Sequence, residues 1–207
     1  MIRKRGSLFV VSAPSGAGKT SLCIKLCETL PGIGHSVSYT TRGPRQGEAD
    51  GVHYFFVDTE RFRSMIGAGE FVEWAEVFGN YYGTSAQKIE EMMDSGTDVV
   101  LDIDLQGAMQ IQKRLPGSRL IFIMPPSMKA LRERLHGRMT DTEEAIGKRL
   151  AKAREEMKEY KSYDYVIIND TFNIALTELT SVVIAERVTV AKANHDVIDK
   201  IISEEGQ

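Results

Sequence analysis

The sequence predicts an α/β protein in three layers, a parallel sheet held between helices and interrupted by two insertions. Three observations predict it. First, an apolar, β-branched run, Leu8-Phe9-Val10-Val11, leads through a Gly-rich loop into the helical pattern Ser21-Leu22-Cys23-Ile24-Lys25-Leu26. Second, further strand-like runs, Asp98–Asp104, Arg119–Met124 and Tyr163–Ile168, alternate with helical segments, and strands separated by helices pair in parallel. Third, two stretches break the alternation: about 34–88, rich in short strands and turns, and about 127–160, helical and rich in arginine. The 207 residues suffice for one domain of this kind, with core segments at about 1–33, 89–126 and 161–207.

The elements follow in order. Ala13-Pro14-Ser15-Gly16-Ala17-Gly18-Lys19-Thr20 is the phosphate-binding loop pattern, with Ala in place of Gly at its first position. Small residues let successive backbone N–H groups curl around phosphate oxygens, and the next helix points its positive N-terminal end at the same anion. Lys19 is placed for the β- and γ-phosphates, and the Thr20 hydroxyl for a nucleotide-bound Mg²⁺. The first helix runs from Lys19 to about Thr29 and stops at Pro31-Gly32. Ser36–Val57, with its interspersed glycines, suits short strands and turns. Asp58–Gly67 is a short helix capped by Asp58 or Thr59. Phe71–Val77 alternates apolar and polar residues, as a half-exposed strand does. Asn80–Ser85 is expected to turn into a helix from Ala86 to Ser95, ended by Gly96.

Asp98–Asp104 is a buried strand with acids at its carboxyl end, where open α/β sheets bind their ligands. Asp102 resembles the acid that supports Mg²⁺ water in phosphate-loop enzymes. Helices are expected at Gly107–Leu115 and Ser127–Leu135, on either side of the strand closed by Pro125-Pro126. A capping box, Thr140-Asp141-Thr142-Glu143, opens a long charged helix to about Lys161. After the strand Tyr163–Ile168 comes a helix from Asn173 to Val190, and Ala191–Gln207 holds a further helical segment.

Composition bounds the function. The net charge of −3 does not favour nucleic acid. No run approaches the ~18 apolar residues of a membrane helix, and the basic start is followed by a strand too short for a signal core. The expected location is cytoplasmic. Cys23 and Cys27, at i,i+4 on the first helix, are expected to be structural thiols rather than metal ligands or a disulfide. His35, His53, His136 and His195 have no metal-like spacing, and no Ser/His/Asp nucleophile set is present.

A nucleotide-binding core with two insertions is the arrangement of nucleoside-monophosphate kinases, whose insertions close to keep water from the phosphoryl group. The sequence resembles the guanylate kinase family over nearly its whole length. The motifs that carry the resemblance are SAPSGAGKT, SVSYTTRGPRQGEADGVHY, EFVEWAEVFGNYYGT, LDIDLQG, LRERLHGRMTDTEEAIGKRL and VIIND, in the family's order and spacing. The resemblance implies a phosphate-loop kinase core, a mixed α/β GMP-binding insertion at about 34–88 and a helical lid at about 127–160. It implies ATP and GMP (and dGMP) as substrates, Mg²⁺ as cofactor, GDP as product and a role in purine metabolism and GMP recycling. The implied enzyme is a monomer or homodimer.

Residue by residue, it implies that Glu73 accepts the N1–H and 2-amino donors of guanine while Ser38 donates to O6. Thr84 and Asp102 lie near the base, with Asp102 also reaching Mg²⁺ through water. Arg42 and Arg45 clamp the GMP phosphate, and Tyr54, Tyr82 and Glu48 belong to the same site. Arg134, Arg138 and Arg149 of the lid region reach the nucleotide, Arg138 and Arg149 together with Lys19 and Arg45 carrying transition-state charge. Asn169 and Asp170 contact the ATP adenine or support it. A catalytically silent scaffold module on the same fold is the alternative, but such modules lose loop or lid residues that are present here. A kinase of AMP or dTMP is a further alternative, opposed by Glu73 with Ser38.

Overall fold

The computed structural model describes residues 5–77, 79–137 and 142–203. They run through β1 (Leu8–Ser12), α1 (Lys19–Thr29) and β2 (Ile33–His35) into a first insertion. That insertion holds β3 (Tyr39–Thr40), β4 (Phe55–Phe56), α2 (Thr59–Gly67), β5 (Phe71–Val77) and β6 (Asn80–Ser85). The chain returns through α3 (Ala86–Asp94), β7 (Asp98–Asp102), α4 (Leu105–Arg114) and β8 (Arg119–Met124). A second insertion, α5 (Met128–His136) and α6 (Glu143–Lys158), precedes β9 (Tyr165–Ile168), α7 (Phe172–Arg187) and α8 (His195–Ser203).

β1 is buried along its whole length, which is why its sequence shows no alternation. It is the middle strand of a five-stranded parallel sheet in the order β2-β7-β1-β8-β9. Successive residues of each strand serve opposite faces. Phe9 and Val11 meet Leu22, Cys23 and Leu26 of α1 and Ala175, Leu179 and Val183 of α7. Leu8 and Val10 meet Ile89 and Met93 of α3 and Ala108 and Ile111 of α4. Helices on both faces make the three expected layers, each fully buried side chain contributing about 1.5–3 kcal/mol. Burial also pushes the Cys23 thiol well up and that of Cys27 to about 11, so both are inert packing groups.

Each insertion has its own small core. In the first, Phe62, Met65 and Phe71 gather Tyr39, Trp74 and Tyr81 around them under a mixed four-stranded sheet, order β4-β3-β6-β5. In the second, Leu131 and Leu135 of α5 pack on Ile146, Leu150 and Ala153 of α6. The first insertion is fastened to α4 through its edge strand. Gln110 exchanges two hydrogen bonds with the Trp74 backbone, and Arg114 Nη1 donates to the carbonyls of Phe71 and Val72. The strand edge is thereby satisfied by side chains instead of another strand.

Several boundaries depart from the expectation. Asn80–Ser85 is not a turn but strand β6, paired antiparallel with β5 from Val77↔Asn80 to Phe71↔Ser85. The reversal occurs earlier, where Gly79 takes φ 77°. β2, which the pattern did not announce, is short and continues straight from the turn at Gly32 to pair with β7. α4 starts at Leu105 because Asp104 caps it, accepting the Gly107 N–H at 2.9 Å. Thr142 caps α6, accepting from the Ala145 N–H; Thr140 and Asp141, the start of the expected capping box, lie outside the described residues. α6 ends at Lys158, followed by a 3-10 turn, and β9 starts only at Tyr165. α7 ends at Arg187 instead of near Val190.

Candidate active site

The carboxyl ends of β1, β7 and β9 meet at one side of the sheet, and the phosphate-type loop leaves β1 there. Gly16 and Gly18 adopt φ 94° and 91°, which L side chains rarely enter, so both glycines are required by the turn. The loop is braced from below by Asn169 at the end of β9. Its buried Nδ2 donates to the Ala17 carbonyl at 2.7 Å and lies where a Cβ on Gly18 would be, 2.5 Å away. Lys19 Nζ donates to the Ile103 carbonyl at 2.7 Å across the mouth of the loop. The Thr20 hydroxyl donates to Asp102 Oδ2 at 2.6 Å, and His35 Nε2 sits 3.1 Å from Oδ1. Burial would raise the Asp102 carboxyl, but the Lys19 charge, His35 and Thr20 outweigh it and hold it at about 2, so it is an anion.

A cavity of about 360 Å³ opens over this loop, lined by Ala13 to Gly16, Gly18 to Ser21, and three α6 residues, Arg149, Lys152 and Glu156. Arg149 Nη2 donates to Ser15 Oγ at 2.6 Å, so α6 touches the loop directly. A second cavity of about 160 Å³ is lined by Ser38, Glu73, Asp102 and Ile103. Tyr54, Val77, Tyr82 and Asp104 line both, so the two are neighbours with common walls. Glu73 is only 4% exposed. Burial raises its carboxyl to about 7, against the lowering by the Thr84 hydroxyl, which donates to Oε1 at 2.5 Å.

The family model described as guanylate kinase matches residues 5–186. The chain belongs to the guanylate kinase family. It is 50% identical to the guanylate kinase of Geobacter sulfurreducens over 202 residues, which cover 98% of this chain and 99% of that one. To the guanylate kinase of Escherichia coli it is 51% identical over 205 residues, 97% and 99% of the two chains. The crystal structure of guanylate kinase from Anaplasma phagocytophilum superposes with a TM-score of 0.81 at 34% identity, covering all of both chains.

Against the guanylate kinase motifs, the structure gathers Ala13 to Gly16, Gly18, Lys19, Thr20 and Arg149 at the larger cavity and Ser38, Tyr54, Glu73, Tyr82 and Asp102 at the smaller. Ala17 is buried beneath the loop. Thr84 is buried behind Glu73, its hydroxyl committed to that carboxylate. Arg42, Arg45 and Glu48 line neither cavity. They form a cluster beside them: Arg42 Nη2 donates to Glu48 Oε1 at 2.9 Å, the Arg45 N–H donates to Glu48 Oε2, and the Arg42 guanidinium stands over the Tyr54 ring. The Glu48 hydrogen bond raises the Arg42 guanidinium, and the Arg42 hydrogen bond in turn lowers the Glu48 carboxyl. Arg134 donates to the Asn169 carbonyl at 2.9 Å and lines neither cavity, and Asp170 is exposed at the end of β9. Arg138 lies outside the described residues.

His35, Asp104, Lys152 and Glu156 stand at or beside the two cavities without a site role assigned to them from the sequence. A signal existed for the last two: with Arg149 they stand at i, i+3 and i+7, one face of α6. His35 carried none, because its partner is far along the chain.

Proposed function

We propose that the protein transfers the γ-phosphoryl group of ATP to GMP (and to dGMP), giving ADP and GDP. The observation that carries this reading is the pair of adjoining cavities: one faced by a phosphate loop and a lid arginine, the other floored by a buried carboxylate. An acceptor phosphate in the second can then meet a donor phosphate in the first with no water between them.

In the acceptor cavity, Glu73 accepts both the N1–H and the 2-amino group of guanine. Adenine offers neither pair, and it leaves the buried acid without partners, a mismatch that disfavours it by ~10⁴ or more. Ser38 donates to guanine O6, and Thr84 holds Glu73 in place. Tyr54, Tyr82, Arg42 and Arg45 serve the GMP phosphate, with Glu48 fixing the two arginines. In the donor cavity, the Ala13–Thr20 backbone and Lys19 hold the triphosphate. Arg149, Arg138 and Arg134 bring positive charge from the lid region, and Asn169 and Asp170 support the adenosine side. A GMP phosphate oxygen attacks the γ-phosphorus in line; the new P–O bond forms as the bond to the β–γ bridging oxygen breaks and ADP leaves with the electron pair. Lys19, Arg45, Arg138 and Arg149 neutralise the charge spread over the transferring group.

The residues fit Mg²⁺. Thr20 and the ionised Asp102 are hard oxygen donors beside the loop, while the described residues contain no group of three or more His, Cys, Asp or Glu able to hold a metal alone. That suits an ion carried largely by nucleotide phosphates and water. Held there by Thr20 and Asp102, it would supply Lewis-acid polarisation of the transferring phosphoryl group. Two free thiols suit a reducing compartment, the cytoplasm. No helix among the described residues is long and apolar enough to cross a membrane.

The test is a panel of GMP, dGMP, AMP, CMP and dTMP as acceptors with ATP and Mg²⁺. ADP release with GMP and dGMP alone is expected; equal turnover of AMP would overturn the assignment of the smaller cavity.

A further inference from the structure

We propose that Gly107 is a specificity-determining position: the missing side chain at the first turn of α4 leaves Glu73 the room it needs to face the base. The inference rests on Glu73 as the guanine-reading acid. A Cβ built on Gly107 would lie 2.5 Å from Glu73 Oε2, 3.1 Å from its Cδ and 3.2 Å from Ile103 Cδ1. Nothing in the backbone asks for glycine here. Gly107 lies inside α4 and is not among the residues with positive φ. Alanine is the better helix former of the two. The glycine is explained by space, and the space belongs to the carboxylate.

Glu73 is held in place on its other side. Its Oε1 is tied to Thr84 at 2.5 Å, and β5 beneath it is fastened to the same helix by Gln110 and Arg114. Gly107, Gln110 and Arg114 stand at i, i+3 and i+7, so one face of α4 both anchors the strand and backs its acid. Helix and strand are fixed relative to each other, and the end of the Glu73 side chain is the part free to yield. Reaching ordinary contact takes a shift of about 1 Å toward the cavity. Displacements of that size cost reactions ~10² in rate when they fall on positioning groups.

The experiment compares Gly107→Ala with wild type on GMP and on inosine monophosphate, which lacks the 2-amino group, with Glu73→Gln in parallel. Gly107→Ala is expected to raise KM for GMP about 10- to 100-fold and to reduce the GMP-to-inosine-monophosphate ratio of kcat/KM about tenfold. KM for ATP should stay within about twofold, and the melting temperature should not fall. An unchanged KM and ratio in Gly107→Ala, with the ratio collapsed in Glu73→Gln, overturns this inference alone. An unchanged ratio in Glu73→Gln overturns the reading of Glu73 on which it rests. Matching losses in ATP affinity or melting temperature overturn it too, because they mark general damage.

Discussion

The two cavities share four wall residues and are built by opposite means. The phosphate-facing floor of the larger one is made by a single short segment, the turns at Gly16 and Gly18, a helix start and one lysine, braced by Asn169, while α6 and the shared residues wall it. The smaller one draws side chains from separate places: Glu73 on β5, Tyr82 on β6, Asp102 at the end of β7, and Ser38 and Tyr54 beside β3 and β4. Backbone amides and a cation suit any triphosphate, whatever its base. A buried acid, tuned by a neighbouring hydroxyl and by close packing, suits one pattern of donors. On the proposed assignment, affinity for phosphate is local in the chain, whereas choice of base is distributed over the fold.

Substitutions in one half should leave the other half's substrate affinity unchanged. The largest effect is expected at Lys19. Lys19→Ala should lower kcat for GMP about 10²–10³-fold in a coupled ADP-release assay, and near-wild-type turnover would remove the loop from catalysis.

Next comes pH. The Glu73 carboxyl at about 7 must be ionised to accept two donors, so KM for GMP should rise about tenfold per pH unit below 7. KM for ATP should lack that limb, and Glu73→Gln should lose it. Because the folded carboxyl lies above its ordinary 4.5, the stability linked to Glu73 is full below that value. It is lost as pH rises through about 7. A rise in melting temperature across that window, traceable to Glu73 by substitution, would reverse the sign.

The smallest effect is expected at Asn169. Asn169→Ala leaves the Ala17 carbonyl without its donor, at about 1–3 kcal/mol of stability, and should raise KM for ATP about tenfold while leaving KM for GMP unchanged. A shift confined to GMP would contradict the division between the halves.

The same contrast sets what the sequence could reveal. The loop is legible because its chemistry is contiguous; β1 and β8 follow from unbroken apolar runs, and α1 and α3 from helical patterns with stop signals. The acid at Glu73 and the arginines at Arg42 and Arg45 had meaning only through the guanylate kinase motifs, since nothing local distinguishes a base-reading glutamate from one on a half-exposed strand. Their partners are tertiary facts. The Gly107 approach, the His35 contact to Asp102 and the Asn169 brace each join residues remote in sequence. β6 was mistaken for a turn because Asn80 and Gly83 are turn residues by composition, whereas pairing with β5 decided their conformation. β2 was missed because three residues give no period to measure.

The pairing of β5 with β6 has a consequence for how the molecule comes into being. These strands are joined by a tight reversal and can meet as soon as they emerge, whereas Leu8 must find Val99 and Phe9 must find Arg119 before β1 is enclosed. Closing such long loops is entropically slow. The β5–β6 hairpin, which carries Glu73 and Tyr82, should then mature before the parallel sheet beneath the phosphate-type loop. Pulse-labelled hydrogen exchange during refolding is expected to protect the amides of Ala75 and Tyr82 ahead of those of Val10 and Val11. Simultaneous protection would mean that the hairpin gains its order from the parallel sheet.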